Sequence, residues 1–517
     1  MPKYRVVGIP GAGKTTTLRR RVERWVADGY DRDSIIVCSL TRTAAAVIAD
    51  RIDLPPGHAA TLHSLAYRGL DAPTIAEVGP LAKEWNSQPN LPPEWRLGLP
   101  KDAIDEGVMV EQGTGAALSA YSRLRAQGRT DWDDDFVTAW EGFKGEHHAM
   151  DFQDLIDFAH VELPTAPGDP AVFVVDEAQD LTPSMWTLAD QWGEAAAWYV
   201  VAGDPAQCLF QWSGADYGSL LEPLPDGHHH MLPQSWRLPR AVAEYAESWL
   251  QGHTPPMSEG RMYRPRDVEG EVNHADATWR DGGEVLAMVE GQLERGGTVM
   301  VLTSCAYMLE PTVAALRAAG LAYHNPYRRA NGRWNPLREQ EGKTSTLHRL
   351  SMFLSDVWSD DGAVAWLDML PAKWFRGAKK AALESLAGQR RLTIRDLAPL
   401  LHDAVLNAHA GQDGDWLEDN VLPRFTAPLA YGYRLWQRDP ASIAQEPRIV
   451  VGTVHSVKGG EADHVLLAPD LSPAGQAELW APGGRDAAIR LHYVGLTRAR
   501  ETVTLLRPAS MAGSVYA

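Results

Sequence analysis

The sequence predicts an α/β protein with parallel sheets, built from more than one domain. A short apolar segment at residues 4–7 leads through a glycine-rich turn into a segment at 16–27 whose apolar residues recur at helical spacing. An unbroken apolar run at 171–175 has the composition of a parallel strand buried on both faces. A chain of 517 residues exceeds what one hydrophobic core ordinarily holds, so three or four domains are expected.

Composition and charge restrict the class of protein. Hydrophobic residues make up 44% and charged residues 22%, which is typical of globular proteins. No apolar run approaches the roughly 20 residues of a membrane-spanning helix, the N-terminus lacks a signal-peptide pattern, and the three cysteines have neither disulfide nor metal spacing. We expect a cytoplasmic protein without a membrane partner. The net charge of −18 disfavours a nucleic-acid partner, although a local basic groove still binds phosphates.

A phosphate-binding loop follows the first strand. The segment Gly8–Thr15 fits the pattern G-x-x-x-x-G-K-[ST] in full, in the strand–turn–helix context that this pattern requires. Backbone N–H groups of such a loop point at phosphate oxygens, while Lys14 reaches the β- and γ-phosphates and the Thr15 hydroxyl ligates Mg²⁺. The predicted nucleotide-binding residues of this segment are Gly8, Pro10, Gly11, Ala12, Gly13, Lys14, Thr15 and Thr16.

Two carboxylates follow the apolar run at 171–175. Asp176 is placed to hold Mg²⁺ through its water shell, and Glu177 to polarise the attacking water as general base. Alone, such a pair is more often a solvated loop, but the upstream phosphate loop favours the metal site. A third apolar run at 196–202 precedes Gln207, whose amide donates and accepts, and which is either a γ-phosphate contact or a turn residue.

These segments, in this order along the chain, resemble those of the UvrD/Rep-type helicases of superfamily 1. The stretches 453–461, T-V-H-S-V-K-G-G-E, and 493–500, Y-V-G-L-T-R-A-R, are similar to the family's last two motifs. Residues 150–155 also resemble the segment with which the family's chain returns to its first core domain. The resemblance spans nearly the whole chain and rests on Gly8–Thr15, Ser39–Ala45, Ala60–Ala66, Asp176–Asp180, Gly203–Gly214, Gln234–Arg237, Thr453–Glu461 and Tyr493–Arg500.

The resemblance implies two RecA-like P-loop lobes and a nucleotide site shared by distant parts of the chain. It implies that Gln207 and Arg237 face the γ-phosphate, that Trp236 stacks on the adenine, and that Glu461 hydrogen-bonds the ribose. Arg498 would be the arginine finger, which neutralises charge that grows on the transferred phosphoryl group. The implied ligands are ATP and Mg²⁺, and the implied catalytic residues are Lys14, Glu177, Gln207, Arg237 and Arg498.

The late position of Arg498 independently favours a second lobe, because one domain seldom holds residues so far apart in sequence. Residues 490–496 read as the start of a helix and 502–506 as a final strand, while 297–302 and 308–319 read as the strand and helix that open this lobe. Closure of such lobes on ATP would produce stepping. The predicted first lobe is 1–73 and 150–250 with a helical insert at 74–149, and the predicted second lobe is 251–340 and 441–517 with a helical insert at 341–440.

Aromatic residues next to Gln207 predict a nucleic-acid contact. Phe210 and Trp212 would let one loop connect the nucleotide to base stacking, which is worth roughly 1–3 kcal/mol per base. Core packing is the competing interpretation of both rings. For His63 and His455 the competing interpretation is a structural role. The predicted contacts to phosphates are Thr41, Arg42, His63, Thr453 and His455.

Several positions depart from the family pattern. Leu40 and Leu62 replace aromatic residues, and Ser213 stands where an arginine is usual. The first strand begins so early that we expect no upstream glutamine motif to read the adenine. The run His228–His230 is predicted to be a loop and not a metal site.

The sequence therefore predicts a DNA-dependent ATPase that moves along single strands and unwinds duplexes, with 3′→5′ polarity suggested by the family. It would act as a monomer on single-stranded DNA and on single/double-strand junctions. Two alternatives remain open: a translocase that strips proteins from DNA without unwinding, and a P-loop ATPase that is no motor. Base stacking does not read the 2′-OH, so RNA stays open as a substrate.

Overall fold

The computed structural model describes residues 3–39, 45, 49, 53–98, 115–258, 261–329, 331–337, 345–388, 391–443, 445–479 and 483–509. The strands are β1 (Lys3–Gly8), β2 (Ile35–Cys38), β3 (Ala59–Ala60), β4 (Thr74–Ile75), β5 (Ala149–Met150), β6 (Val172–Val175), β7 (Trp198–Gly203), β8 (His229–Leu232), β9 (Glu271–His274), β10 (Val299–Thr303), β11 (Tyr323–His324), β12 (Val357–Trp358), β13 (Leu392–Thr393), β14 (Ile449–Thr453), β15 (Ala462–Leu467) and β16 (Ala499–Leu505). The α-helices are Lys14–Ala27, Leu62–Gly69, Gly79–Asn86, Ala116–Ala126, Asp134–Glu146, Phe152–Glu162, Pro183–Ala195, Arg240–Leu250, Gly282–Arg295, Glu310–Ala318, Thr346–Phe353, Asp360–Leu367, Lys379–Glu384, Ile394–Leu397, Asp403–Ala410, Gly414–Asn420, Pro423–Arg438, Pro473–Glu478 and Gly484–Leu496.

The first large sheet has the strand order β3-β2-β6-β7-β1-β8 in the described part of the chain. All of its neighbouring strands run parallel, with Val6 opposite Ala202 and Val37 opposite Val174. Parallel strands require crossover connections, which here are mainly helical. The carboxyl ends of β1, β6 and β7 therefore meet at one edge, where the predicted phosphate loop, the two carboxylates and Gln207 begin.

Alternate residues of this sheet face two separate cores, as the period of a strand dictates. On one face Val6, Val37 and Val174 pack with the helix Lys14–Ala27 through Leu18 and Val22. The other face packs against the helices Leu62–Gly69, Phe152–Glu162 and Pro183–Ala195. Because both faces are covered, the strands read in the sequence as continuous apolar runs, which is why they were predictable.

The second large sheet has the order β11-β14-β10-β15-β16-β9 in the described residues. The pairs β15–β16, β16–β9 and β11–β14 are parallel, with Val465 opposite Val503 and Val503 opposite Val272. Two parallel sheets with helices confirm the predicted α/β class with two RecA-like lobes.

By its internal contacts the chain divides into two compact units. The first comprises residues 1–276, 302–306 and 453–517, and the second comprises 277–301 and 307–452. Within the second unit, helices between residues 346 and 438 enclose a core of their own, which includes Phe353, Trp366 and Leu429. The four-part boundaries drawn from the sequence stay a prediction. In the described part of the chain, no helix has the length and apolarity needed to cross a membrane.

Two local predictions were wrong. His229 and His230 belong to the edge strand β8 and not to a loop, and the Arg5 Nε–H donates to His229 Nδ1 at 2.9 Å, while the His228 ring stacks on Tyr4. No group of histidine, cysteine, aspartate or glutamate side chains suited to a metal occurs among the described residues. Residues 490–496 are the end of the helix Gly484–Leu496 and not its start, because the helix begins at Gly484, after the N-cap residue Gly483.

A buried ionic network fixes the helix Phe152–Glu162 at its N-terminus. Asp151 has no exposed side-chain surface, and it accepts hydrogen bonds from Lys144 Nζ at 2.8 Å, Trp140 Nε1 at 3.1 Å and the Asp154 N–H at 2.7 Å. Arg125 adds contacts to Asp151 at 3.2 Å and Asp154 at 2.7 Å. Burial acts to raise the pKa of Asp151, but Lys144 and Arg125 outweigh it and hold this pKa below its usual value. The network ties the segments before and after residue 150 together.

Asp151→Asn is expected to lower the free energy of unfolding by about 1–3 kcal/mol, because the buried Lys144 and Arg125 lose one of the two carboxylates that they share and keep only Asp154. Urea unfolding followed by circular dichroism measures this loss at neutral pH. The stabilisation is present above the pKa of about 3.9 of an unfolded aspartate and disappears as the pH falls below it. Asp131→Asn, in the exposed pair with Arg129, serves as the control that leaves the urea midpoint unchanged.

Candidate functional site

Glycines shape the loop at the end of β1 because neighbouring atoms leave no space for side chains. A Cβ on Gly8 would stand 2.8 Å from Cγ of Lys14, and one on Gly11 would stand 2.5 Å from Cβ of Arg237. Gly11 and Gly13 also have φ values of +73° and +78°, which only glycine adopts without strain. The Ser235 hydroxyl donates to the Pro10 carbonyl at 2.8 Å, so the loop and the segment 235–237 are held together.

Lys14 and Thr15 lie at the start of the helix Lys14–Ala27, next to the end of β6. Lys14 Nζ donates to the Gly8 carbonyl at 2.9 Å, so the ammonium group turns back over its own loop. The Thr15 hydroxyl lies near the Asp176 carboxyl and acts to lower its pKa. Burial and the charge of Glu177 together raise the pKa of Asp176 to about 7. A cation would stabilise the two neighbouring carboxylates Asp176 and Glu177 in their charged forms. The oxygens of Thr15 and Asp176 are suitable ligands for Mg²⁺.

Glu177 occupies a backbone conformation that is rare for residues other than glycine. Its φ is +54°, and its side chain accepts a hydrogen bond from Gln179 Nε2 at 2.5 Å. Such strain persists only where the surrounding structure imposes it, and it is concentrated at functional sites. Burial acts to raise the pKa of Glu177, but Lys458 and Lys14 outweigh it, so this pKa lies below its usual value. The carboxylate is therefore ionised at neutral pH, as a general base requires.

Lys458 was missed as a site residue, although it lies in the segment 453–461 that suggested the family. Its ammonium group forms an ion pair with Asp180, lies 4.0 Å from Glu177 Oε2, and stands over the Phe210 ring at 5.4 Å. Burial raises the pKa of Asp180 to about 6, against the opposing effect of Lys458. The sequence offers no signal for this contact, because 278 residues separate the two partners.

Gln207 and Arg498 contact each other directly. An Arg498 Nη–H donates to Gln207 Oε1 at 3.1 Å, while Gln207 Nε2 donates to Asp204 at 2.8 Å. Arg498 is buried and also donates to the carbonyls of Val494 and Gly460. The residue that the family resemblance makes an arginine finger therefore meets the predicted γ-phosphate contact.

Asp204 is itself held by Arg261, a residue that the sequence did not single out. The Arg261 guanidinium donates to Asp204 at 3.0 Å and to the Tyr493 hydroxyl at 3.0 Å. Burial acts to raise the pKa of Asp204, but Arg261 and Lys14 outweigh it. Arg261 thus fixes the carboxylate that orients the Gln207 amide.

Arg237, Glu461 and Trp236 lie around the phosphate loop. Arg237 Nε donates to Glu461 at 2.7 Å, and Arg237 also donates to the Thr497 carbonyl at 3.2 Å. Trp236 lies beside Gly13, and 71% of its side chain is exposed. A large exposed ring next to a phosphate-binding loop has the chemistry of a stacking surface for a nucleobase.

The residues brought together fit a nucleoside triphosphate with Mg²⁺. The loop Gly8–Thr15 supplies backbone donors and Lys14, and Thr15 with Asp176 would hold the metal. Glu177 lies at the same edge, Arg237 lies beside Gly11 of the loop, and Arg498 donates to Gln207. The remaining loop residues predicted to bind nucleotide, Pro10, Ala12 and Thr16, lie in the same turn or the first turn of the helix.

A second group of residues surrounds the loop that follows Gln207. Phe210 is buried, with its ring centroid 6.3 Å from that of Trp212 and 6.0 Å from that of His455. Trp212 is half-buried, and its Nε1 has no hydrogen-bond partner among the described residues. The core interpretation suits Phe210 better than Trp212, because the tryptophan keeps part of its ring exposed. Thr453 is buried at the end of β14, where its hydroxyl accepts from the Ser456 N–H.

His63 lies in a different ring contact, against Phe152 at 6.2 Å with the rings perpendicular. Burial lowers the pKa of His63 to about 4, so its imidazole is neutral and cannot attract phosphates by charge. Phe152 is 39% exposed and was missed, although its place after Asp151 in the segment 150–155 was a signal. Leu62 is buried and offers no stacking surface. Thr41 and Arg42 lie outside the described residues.

The chain is similar to one family of domains and to individual proteins. Residues 2–212 match a protein-family profile described as an AAA domain. The chain is similar to the ATP-dependent DNA helicase UvrD2 of Mycobacterium tuberculosis, at 25% identity over 556 residues that include 97% of this chain and 76% of the relative. It is also similar to the ATP-dependent DNA helicase PcrA of Bacillus subtilis, at 22% identity over 280 residues, 47% of this chain and 37% of the relative. The likeness to UvrD2 therefore extends over nearly the whole chain.

Proposed function

We propose that the chain is a DNA helicase of the UvrD/Rep type, as its likeness to UvrD2 and PcrA supports, and that it couples ATP hydrolysis to movement along single-stranded DNA and to the unwinding of duplexes. The observation that carries this proposal is the contact between Gln207 and Arg498 at 3.1 Å. Gln207 and Trp212 lie in the same loop. A shift of Gln207 on loss of the γ-phosphate would therefore move a ring that is suited to base stacking.

The proposed hydrolysis uses residues that lie at one edge of the first sheet. Lys14 binds the β- and γ-phosphates, Thr15 and Asp176 hold Mg²⁺, and Glu177 polarises the water. Arg237 and Arg498 neutralise charge on the transferred phosphoryl group. Trp236 stacks on the adenine and Glu461 hydrogen-bonds the ribose, which requires Glu461 to exchange its ion pair with Arg237 for the nucleotide.

The proposed track for single-stranded DNA includes Trp212, Phe210 and His455, with Phe152 and His63 as a further contact. Aromatic rings stack on any base, so this track does not select a sequence. Thr41, Arg42 and Thr453 remain proposed phosphate contacts. We propose 3′→5′ movement, action as a monomer, and binding at single/double-strand junctions on the strength of the family alone.

The ATPase rate with and without single-stranded DNA tests this proposal. We expect strong stimulation by an oligodeoxythymidylate in the wild type and its loss in Trp212→Ala, since stacking on this ring is worth roughly 1–3 kcal/mol per base. Trp279→Ala, at a half-buried ring that belongs to neither site, is the matched control and should keep the stimulation. An ATPase that ignores DNA and the loss of Trp212 would contradict the motor and favour a P-loop ATPase of another kind.

Duplexes with a 3′ or a 5′ single-stranded tail separate the remaining alternatives. Unwinding of the 3′-tailed duplex alone supports the proposed polarity, whereas DNA-stimulated ATPase without unwinding supports a translocase that strips bound proteins. The buried Leu62 favours testing the translocase, because it removes one stacking surface. An oligouridylate in place of oligodeoxythymidylate tests whether RNA serves as the track.

A further inference from the structure

Arg123, in the helix Ala116–Ala126, lies against the loop that carries Trp212. Its Cγ is 3.5 Å, and its carbonyl oxygen 3.6 Å, from the place where a Cβ on Gly214 would stand. Gly214 has a φ of +97°, which lets the loop turn back directly over this helix. The contact brings one cationic side chain of the helix next to the Phe210–Gly214 segment.

Arg123 has no ion-pair partner within the described part of the chain, although its charge acts to lower the pKa of Asp131. No carboxylate lies within ion-pair distance of its guanidinium there, and its Nε–H is buried without an acceptor. Arg125, two residues further along the same helix, contacts Asp151, Asp154 and Asp157. A half-buried guanidinium without an ion pair in the described residues is available to an anionic ligand.

The loop itself contributes no cation. The Ser213 hydroxyl donates to the Phe210 carbonyl at 2.8 Å, so it points into its own turn. Trp212 Nε1 is a second buried donor without an acceptor in the described residues. The loop therefore carries one donor without an acceptor, and Arg123 lies against the same loop at Gly214.

We propose that Arg123 binds the phosphodiester backbone of the single strand whose bases stack on Trp212, supplying from the neighbouring helix a cation that the segment Phe210–Gly214 does not contain. This inference rests on the proposed function. A guanidinium holds a phosphate through two parallel N–H donors, with greater strength than a neutral hydrogen bond.

The salt dependence of binding tests this assignment. The affinity of the full-length protein for a fluorescein-labelled oligodeoxythymidylate is measured by anisotropy across a salt series. Arg123→Gln should weaken binding about tenfold and reduce the slope of log affinity against log salt by about 0.7, the value for one phosphate contact on a single strand. Arg129→Gln, whose charge is already paired with Asp131, is the matched control and should keep the wild-type slope.

A rescue variant separates a lost charge from a disturbed loop. Ser213→Arg introduced into Arg123→Gln should restore the slope, because the two positions serve the same strand, and thermal unfolding should show both proteins folded. A wild-type slope in Arg123→Gln, or a loss of slope that Ser213→Arg does not restore, would overturn the assignment while the ATPase response to DNA remains intact. Failure of the wild type to bind the oligonucleotide would instead remove the proposed function, and the assignment with it.

Discussion

Replacing Glu177 by glutamine is expected to lower the kcat of ATP hydrolysis by about 100- to 10,000-fold, the usual contribution of a general base. Lys458 and Lys14 keep the Glu177 carboxylate ionised, and Gln179 orients it at 2.5 Å. A glutamine has the same shape and still accepts the Gln179 hydrogen bond, but it takes no proton from water. The affinity for ATP should therefore stay within about twofold of the wild type, since the base contributes little to ground-state binding.

Single-turnover hydrolysis and binding of a fluorescent ATP analogue measure the two quantities separately. Lys14→Ala is the contrasting variant, because it removes a phosphate contact and should reduce both affinity and hydrolysis. Glu23→Gln, in the exposed pair with Arg19 on the same helix, is the matched control. Hydrolysis at the wild-type rate in Glu177→Gln would assign the base to another residue, and a parallel loss of ATP affinity would make Glu177 a structural residue of the loop.

The core of the first lobe was predictable because its strands are buried on both faces. The apolar runs at 4–7, 171–175 and 196–202 became β1, β6 and β7 with ends displaced by no more than two residues. The edge strand β8 was not predicted, since its outer face is polar and exposed and its histidines resemble a loop. The order of the strands could not be predicted from the sequence either. Parallel neighbours are joined by long crossovers, so no local turn fixes their pairing.

In the candidate site, the sequence predicted several functional residues but not the contacts between them. Motif spacing identified Gln207 and Arg498, but only the fold places one guanidinium on one amide across 291 residues. Lys458 and Arg261 were missed because their roles depend on buried partners, Asp180 and Asp204, that sequence proximity does not reveal. Phe152 was missed for a different reason: an aromatic residue after a helix cap reads as core until its exposure is known.

Replacing Arg498 by lysine is expected to lower kcat by about 1,000-fold or more, within the range that arginine fingers contribute to phosphoryl transfer. Lysine keeps the charge but lacks the planar fork, so it cannot hold Gln207 and the carbonyls of Gly460 and Val494 at the same time. Steady-state ATPase at saturating DNA and ATP measures the loss. Arg485→Lys, at an exposed position in the helix Gly484–Leu496, is the control, and thermal unfolding reports any loss of stability from the freed carbonyls.

A double-mutant cycle with Gln207→Ala decides whether the contact between Arg498 and Gln207 takes part in catalysis or only in packing. If the two residues act together on the γ-phosphate, the double variant should lose little more activity than Arg498→Lys alone, because residues that act as a unit are non-additive. DNA stimulation should fall with Gln207→Ala as well, since Gln207 begins the loop that carries Trp212. Additive losses in kcat, with DNA stimulation retained in Gln207→Ala, would separate the nucleotide from the aromatic loop and contradict the proposed coupling.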